Sequence, residues 1–164
     1  NLDQALAATL KSLELKPDNP TANLNLGGIY KDLGNLDKAL ISTLKSLDLQ
    51  ANNADAYLSL ALIYKDLNKL DKSLLSTYKA LEINPKDSKA LCNCGIIYIL
   101  NGELTEGIKY LEKSLACDQT NENTMVELGK GYQKLGMHSK GIELITKGQG
   151  YVRMDFDGKF IVSL

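Results

Sequence analysis

The chain has 164 residues, of which 19 are basic and 20 acidic, for a formal net charge of −1. Lys supplies every basic residue except Arg153, so there is neither a net field nor a set of guanidinium forks to hold nucleic acid or an anionic membrane. No apolar run reaches the length of a membrane span, no charged-then-apolar leader opens the chain, and three cysteines outside any spaced framework read as reduced thiols; the setting they predict is cytoplasmic.

The first pattern is a single amphipathic helix over residues 1–17, with Leu2, Leu6, Leu10 and Leu13 on one face. Next, Pro20 stands where a first helical turn tolerates its missing N–H, with Asn19 as cap. Ala22, Leu26, Ile29, Tyr30 and Leu33 then recur at helical spacing until Gly34 supplies a left-handed stop. A second helix opens near Leu36 and Asp37 and carries Ala39, Leu40, Thr43, Leu44 and Leu47 to about Leu49.

That two-helix unit then repeats. Tyr30, Tyr64, Tyr98 and Tyr132 stand 34 residues apart, and the stop column reads Gly34, Asn68, Gly102, Gly136. Asn is the other residue type that adopts the left-handed conformation readily, so Asn68 supports the alignment. Small residues recur on both helices: Gly27, Ala61, Gly95 and Gly129 on the first, Ala39, Ser73, Gly107 and Gly141 on the second, which predicts a close crossing. The units run 18–53, 54–87, 88–121 and a degenerate 122–150, weakened after Ile145 by Gly148 and Gly150. Residues 1–17 match a second helix with no first helix before it, as in a piece of a longer array. Residues 151–164 alternate apolar and polar around Asp157-Gly158, which predicts a β-hairpin tail.

A period of 34 with these columns resembles the tetratricopeptide repeat, over residues 1 to about 150. The resemblance implies an all-α fold, a right-handed superhelix of about nine helices paired antiparallel, with strand confined to the tail. It also implies a protein-interaction scaffold that takes a peptide or protein segment in a concave groove lined by the first helices. Column by column, that groove would present Leu24, Asn25, Leu58, Ser59, Leu62, Lys89, Asn93, Ile96, Ile99 and Leu100. Asn25 and Asn93 share a column in which peptide-binding relatives often carry Asn, whose amide both donates to and accepts from a peptide backbone. Leu58, Leu62, Cys92, Ile96, Ile99, Leu100 and Val126 form an apolar patch that internal packing does not obviously require. A neighbouring turn, the tail, a second chain or a ligand would cover it. Lys89 and Asn93 fit the basic clamp by which some relatives hold chaperone tails, but Asp55 and Glu127 oppose a carboxylate.

Catalytic chemistry finds no foothold. Cys92 and Cys94 lie two apart on one helix and point to nearly opposite sides, so they do not grip one ion; Cys94 replaces the buried Leu of its column and Cys117 replaces Leu49 and Ile83 of its own, so these two read as small core hydrophobes. His138 is the only histidine, leaving no metal site or triad to assemble. Gly129-Lys130-Gly131 lies in a helical column and lacks the Lys-Ser/Thr of a phosphate loop. Lys11, Lys45, Lys79, Lys113 and Lys147 form a solvated ladder on the convex face. No enzyme, cofactor or metal is expected; the partners are a protein or peptide, with neither nucleic acid nor membrane. The alternative is a non-catalytic arm of a larger bacterial transferase or oxygenase. Self-association is expected through the ends, using Leu2, Leu6 and Leu10 or Val152, Phe156 and Phe160.

Overall fold

The computed structural model describes residues 1–149, 153–154 and 160–161. Among them are nine helices: α1 (Leu2–Leu15), α2 (Pro20–Asp32), α3 (Leu36–Leu49), α4 (Ala54–Asp66), α5 (Leu70–Ile83), α6 (Ser88–Leu100), α7 (Leu104–Cys117), α8 (Glu122–Lys134) and α9 (His138–Gln149). Strands β1 (Arg153–Met154) and β2 (Phe160–Ile161) pair antiparallel, Arg153 opposite Ile161 and Met154 opposite Phe160. Of the hairpin expected over 151–164, these two residue pairs are described. Val152, Phe156 and the Asp157-Gly158 turn lie outside the described residues. The chain forms two compact units, Asn1–Pro85 and Lys86–Leu164.

Each first helix starts on a side-chain cap. Asn19, Asn53 and Asn121 accept from the N–H of Ala22, Ala56 and Thr124 at 3.0–3.1 Å, and Asp87 accepts from Lys89 and Ala90. Pro20 occupies the first turn of α2, as expected. The stops fall where the sequence places them. Gly34, Gly102 and Gly136 have φ of 74°, 88° and 78°, and Asn68, at 56°, is the one non-glycine with positive φ among the described residues. The residue after each turns back to the helix: the N–H groups of Asn35, Lys69, Glu103 and Met137 donate to the carbonyls of Tyr30, Tyr64, Tyr98 and Tyr132 at 2.8–2.9 Å. That six-residue closure satisfies orphan carbonyls and couples the tyrosine and glycine columns.

In the first unit α2 pairs with α3 and α4 with α5, α1 packs on α2, and α3 on α4. Leu47, Ala56 and Leu60 form a small core with Leu24, Leu40, Tyr57 and Tyr64 against it. Much of the remaining helix contact is hydroxyl rather than hydrocarbon: Ser42, Thr43, Ser46, Ser73, Ser76 and Thr77 are all buried. Ser73 donates to the carbonyl of Ala61 across the pair at 2.7 Å, and Thr77 back-bonds to the carbonyl of Ser73 at 2.9 Å. Thr43, which the periodicity groups with the apolar face, brings its hydroxyl against Gly27.

The second unit is built on side chains that bury more carbon. Cys92, Ile108, Leu111, Leu128 and Tyr132 form its core, and Ile96, Ile99, Leu104, Leu115 and Leu144 lean on it. Helix α6 is buried nearly all round, from Ala90 through Gly95 and at Ile97, as expected of a helix apolar on every side. The glycine columns meet here at close range. A Cβ on Gly95 would lie 2.8 Å from the carbonyl oxygen of Gly107, and one on Gly129 would lie 2.6 Å from that of Gly141. Within each unit, helices touch only their first or second neighbours in sequence.

One column separates useful hydroxyls from idle ones. The Ser114 hydroxyl donates to the carbonyl of Ser88 at 2.7 Å and lies 2.9 Å from the hydroxyl of Thr124. Ser46, at the same repeat position, is buried with no hydrogen-bond partner among the described residues, and the chain itself places Ala80 there one repeat later. Ser114→Ala is therefore expected to destabilise by about 1–3 kcal/mol, while Ser46→Ala is expected to be neutral or stabilising. Denaturant midpoints of the two variants check the contrast.

Candidate protein-binding faces

In the first unit the outward side of the first helices carries the expected residues in three states. Asn25 on α2 is exposed, Leu24, Ser59 and Leu62 are half-buried, and Leu58 is buried. Asn25 and Ser59 make no hydrogen bond among the described residues, whereas Lys31 and Asp32 pair with each other at 3.0 Å. The face thus offers an unengaged amide and hydroxyl flanked by Leu24 and Leu62.

In the second unit Lys89 is exposed, while Asn93 is 3% exposed and so does not present its amide as Asn25 does. Ile96 and Ile99 rest on the core, and Leu100 remains 57% exposed. Beside Ile99 lies a hollow of about 410 Å³, walled by Glu127, Lys130, Gly131, Gln133 and Lys134. Lys130 is tied to Glu127 at 2.7 Å; Lys134 has no ion pair among the described residues.

The apolar patch is thus smaller than the sequence suggests. Leu58, Cys92 and Val126 are core residues, and Ile96 and Ile99 are half-consumed. The physical reason is that successive first helices also touch one another, α2 with α4 and α6 with α8, so the middle columns of their outward side are shared. The proposed association residues divide similarly: Leu2 and Leu10 are exposed and Leu6 half-buried, while Phe160 lies in β2.

A second surface escaped the column argument. Between α7, α8 and α9 runs a groove of about 420 Å³, floored by Leu115, Met125, Leu128 and Leu144 and rimmed by charges. At one end the Tyr132 hydroxyl donates to Glu112 at 2.5 Å and accepts from Lys140 at 2.8 Å, and the Lys140 ammonium sits 4.0 Å over the tyrosine ring. Burial first, then the Glu112 carboxylate, raises the pKa of this phenol above its ordinary value, so it stays a neutral donor. The available signal was Glu112 in a column that holds Leu10, Leu44 and Tyr78 in the repeats before it.

Among the described residues no cluster of His, Cys, Asp and Glu could hold a metal, and no helix is long and apolar enough to cross a membrane. Burial pushes the Cys94 thiol up to about 12, so it is not a thiolate near neutrality. Cys92 is also buried, and Cys117 is exposed. A thiol reagent at pH 8 is expected to label one cysteine quickly, Cys117, and the other two only on unfolding; peptide mapping after brief labelling checks this.

Paired helices, a positive-φ stop and small-on-small crossings at a fixed period define an α-helical repeat protein. Family models described as "Tetratricopeptide repeat" match residues 20–53, 54–87 and 78–109, and the chain belongs to that family. A comparison with curated proteins finds no match. Solved structures similar to it include MamA, at 24% identity and TM-score 0.74, with 90% of this chain and 86% of that one covered. TTC0263, a thermophilic TPR protein of Thermus thermophilus, gives 21% identity and TM-score 0.82, with 95% and 86% covered. YrrB, described as a TPR protein with an unusual peptide-binding site, gives 23% and 0.66, with 91% and 77% covered. At such identities the likeness carries the fold.

Proposed function

We propose that the chain is a non-catalytic interaction scaffold that holds an extended peptide or protein segment on the outward side of its first helices, the side that forms the concave groove of such arrays. The observation that carries this reading is the unengaged polar pair Asn25 and Ser59 between Leu24 and Leu62. An extended segment needs backbone donors and acceptors met in alternation with apolar pockets, and this face supplies both. In the second unit the exposed Leu100 and the hollow beside Ile99 offer an apolar contact, with Lys134 as an uncommitted cation. The peptide-binding site named for YrrB supports the class of ligand. Three free thiols, Cys94 held well protonated, suit a reducing cytoplasm.

The test is a displayed library of random peptides selected on the full chain, followed by calorimetry of the enriched sequences. Asn25→Ala and Leu62→Asp should each weaken binding at least about tenfold, and Lys79→Gln, on the opposite side, should not. Circular dichroism should show unchanged helix in each variant. Enriched peptides that bind Asn25→Ala, Leu62→Asp and Leu100→Asp as well as the parent would remove this face from consideration.

A further inference from the structure

The groove between α7, α8 and α9 exists because of three substitutions within the repeat. In the first unit Tyr57 stands in the corresponding gap, with the Lys79 ammonium 5.4 Å over its ring, and a hollow of about 300 Å³ lies beside it, walled by Ala51, Asn52, Glu82 and Ile83. In the second unit Met125 takes the place of Tyr57, and Glu112 and Glu143 take the places of Leu44 and Leu75. The result is an apolar trough whose α9 rim alternates in sign: Lys140, Glu143, Lys147.

The same exchange leaves the first unit with the opposite shape. On the outer side of α3, Ile41 is 67% exposed and Leu44 39% exposed, followed by Lys45 and Asp48. Neither Lys45 nor Asp48 has a partner among the described residues. An antiparallel helix laid along α9 with Lys45 opposite Glu143 sets Asp48 opposite Lys140, because both pairs are spaced by three residues. The same register places Leu44 level with Leu144, and Ile41 level with Lys147 at the Met125 end of the trough. Both charge pairs and the Leu44–Leu144 contact fall in step at once. The same Lys-to-acid spacing recurs at Lys11 and Glu14 on α1 and at Lys79 and Glu82 on α5, but α1 has Ala7 in the place of Ile41 and α5 has the half-buried Tyr78 in the place of Leu44.

From this complementarity we infer that the groove on the second unit is a docking site for a second copy of this chain, which inserts the Ile41–Leu44 ridge of its α3. The contact joins two different surfaces, so each copy carries one ridge and one groove and association passes from copy to copy. This inference is independent of the peptide-binding reading, which uses the other side of the helices.

Light scattering of the full chain over a concentration series tests it. The parent should rise above monomer mass, and Ile41→Asp (ridge blocked) and Ala116→Arg (groove rim filled) should each remain monomeric at the same concentrations. Both positions are exposed, so circular dichroism should be unchanged. Mixing the two variants should give a complex of two copies and nothing larger, since only one ridge and one groove remain intact between them. Lys45→Glu and Glu143→Lys should each weaken association roughly tenfold, and the double variant should recover it. A parent that stays monomeric throughout overturns the proposal. So does association that survives both blocking variants, which would assign the contact to the terminal leucines or the tail. A mixture that stays monomeric overturns it as well, because the surfaces joined would then not be these two.

Discussion

Gly95→Leu is expected to destabilise the protein by roughly 1–3 kcal/mol or more, a larger loss than any change to an exposed charge. The cause is geometric. A Cβ at position 95 would lie 2.6 Å from Cγ of Leu111 and 2.8 Å from the carbonyl oxygen of Gly107. The leucine side chain can turn aside, but the carbonyl belongs to the backbone of α7, so α6 and α7 must separate along their whole crossing. Lys79→Gln removes only an exposed ammonium 5.4 Å above the Tyr57 ring and should stay within about 0.5–1 kcal/mol. Denaturant midpoints in the reverse order would mean that the columns do not meet as described.

The second large effect lies on the other side of the same crossing. Leu111 is fully buried in the core of the second unit. Leu111→Ala should cost about 2–5 kcal/mol, from lost transfer free energy and the cavity left behind. Because Leu111 is also the first atom set that a side chain at 95 would strike, Gly95→Ala and Leu111→Ala should not add. The double variant is expected to be more stable than the sum of the singles, though still worse than Leu111→Ala alone, since the Gly107 carbonyl stays in place. Strict additivity in urea titrations would show that Leu111 does not bear on Gly95.

Helix positions were legible because their causes are local. Asn19, Pro20 and Gly34 each act within one turn, and Asn68 was readable as a stop because so few residues accept its φ. The buried hydroxyls were not legible. A Ser or Thr can return its hydroxyl to its own helix, as Thr77 does to Ser73, so a polar residue type carries no warning against the core. Nor was the burial of Leu58, Cys92 and Val126, which depends on how closely successive first helices approach. Of the expected binding residues, Asn25, Leu62 and Leu100 keep open surface, while Asn93 does not. The Tyr132 cluster joins residues 20 and 8 positions apart, and only packing brings them together.

The neighbour-only contacts within each unit bear on how the chain reaches this state. No distant ends must be brought together before the first tertiary contact forms, so little loop-closure entropy stands between the unfolded chain and a nucleus. Any adjacent pair of helices can serve as that nucleus. On a ribosome, α2 and α3 can close as soon as both have emerged, without waiting for α5. Injury should stay as local as assembly: a variant that parts α6 from α7 is expected to speed amide exchange there first, leaving α2 and α3 protected, so the damage would pass unnoticed in a probe placed on the first unit.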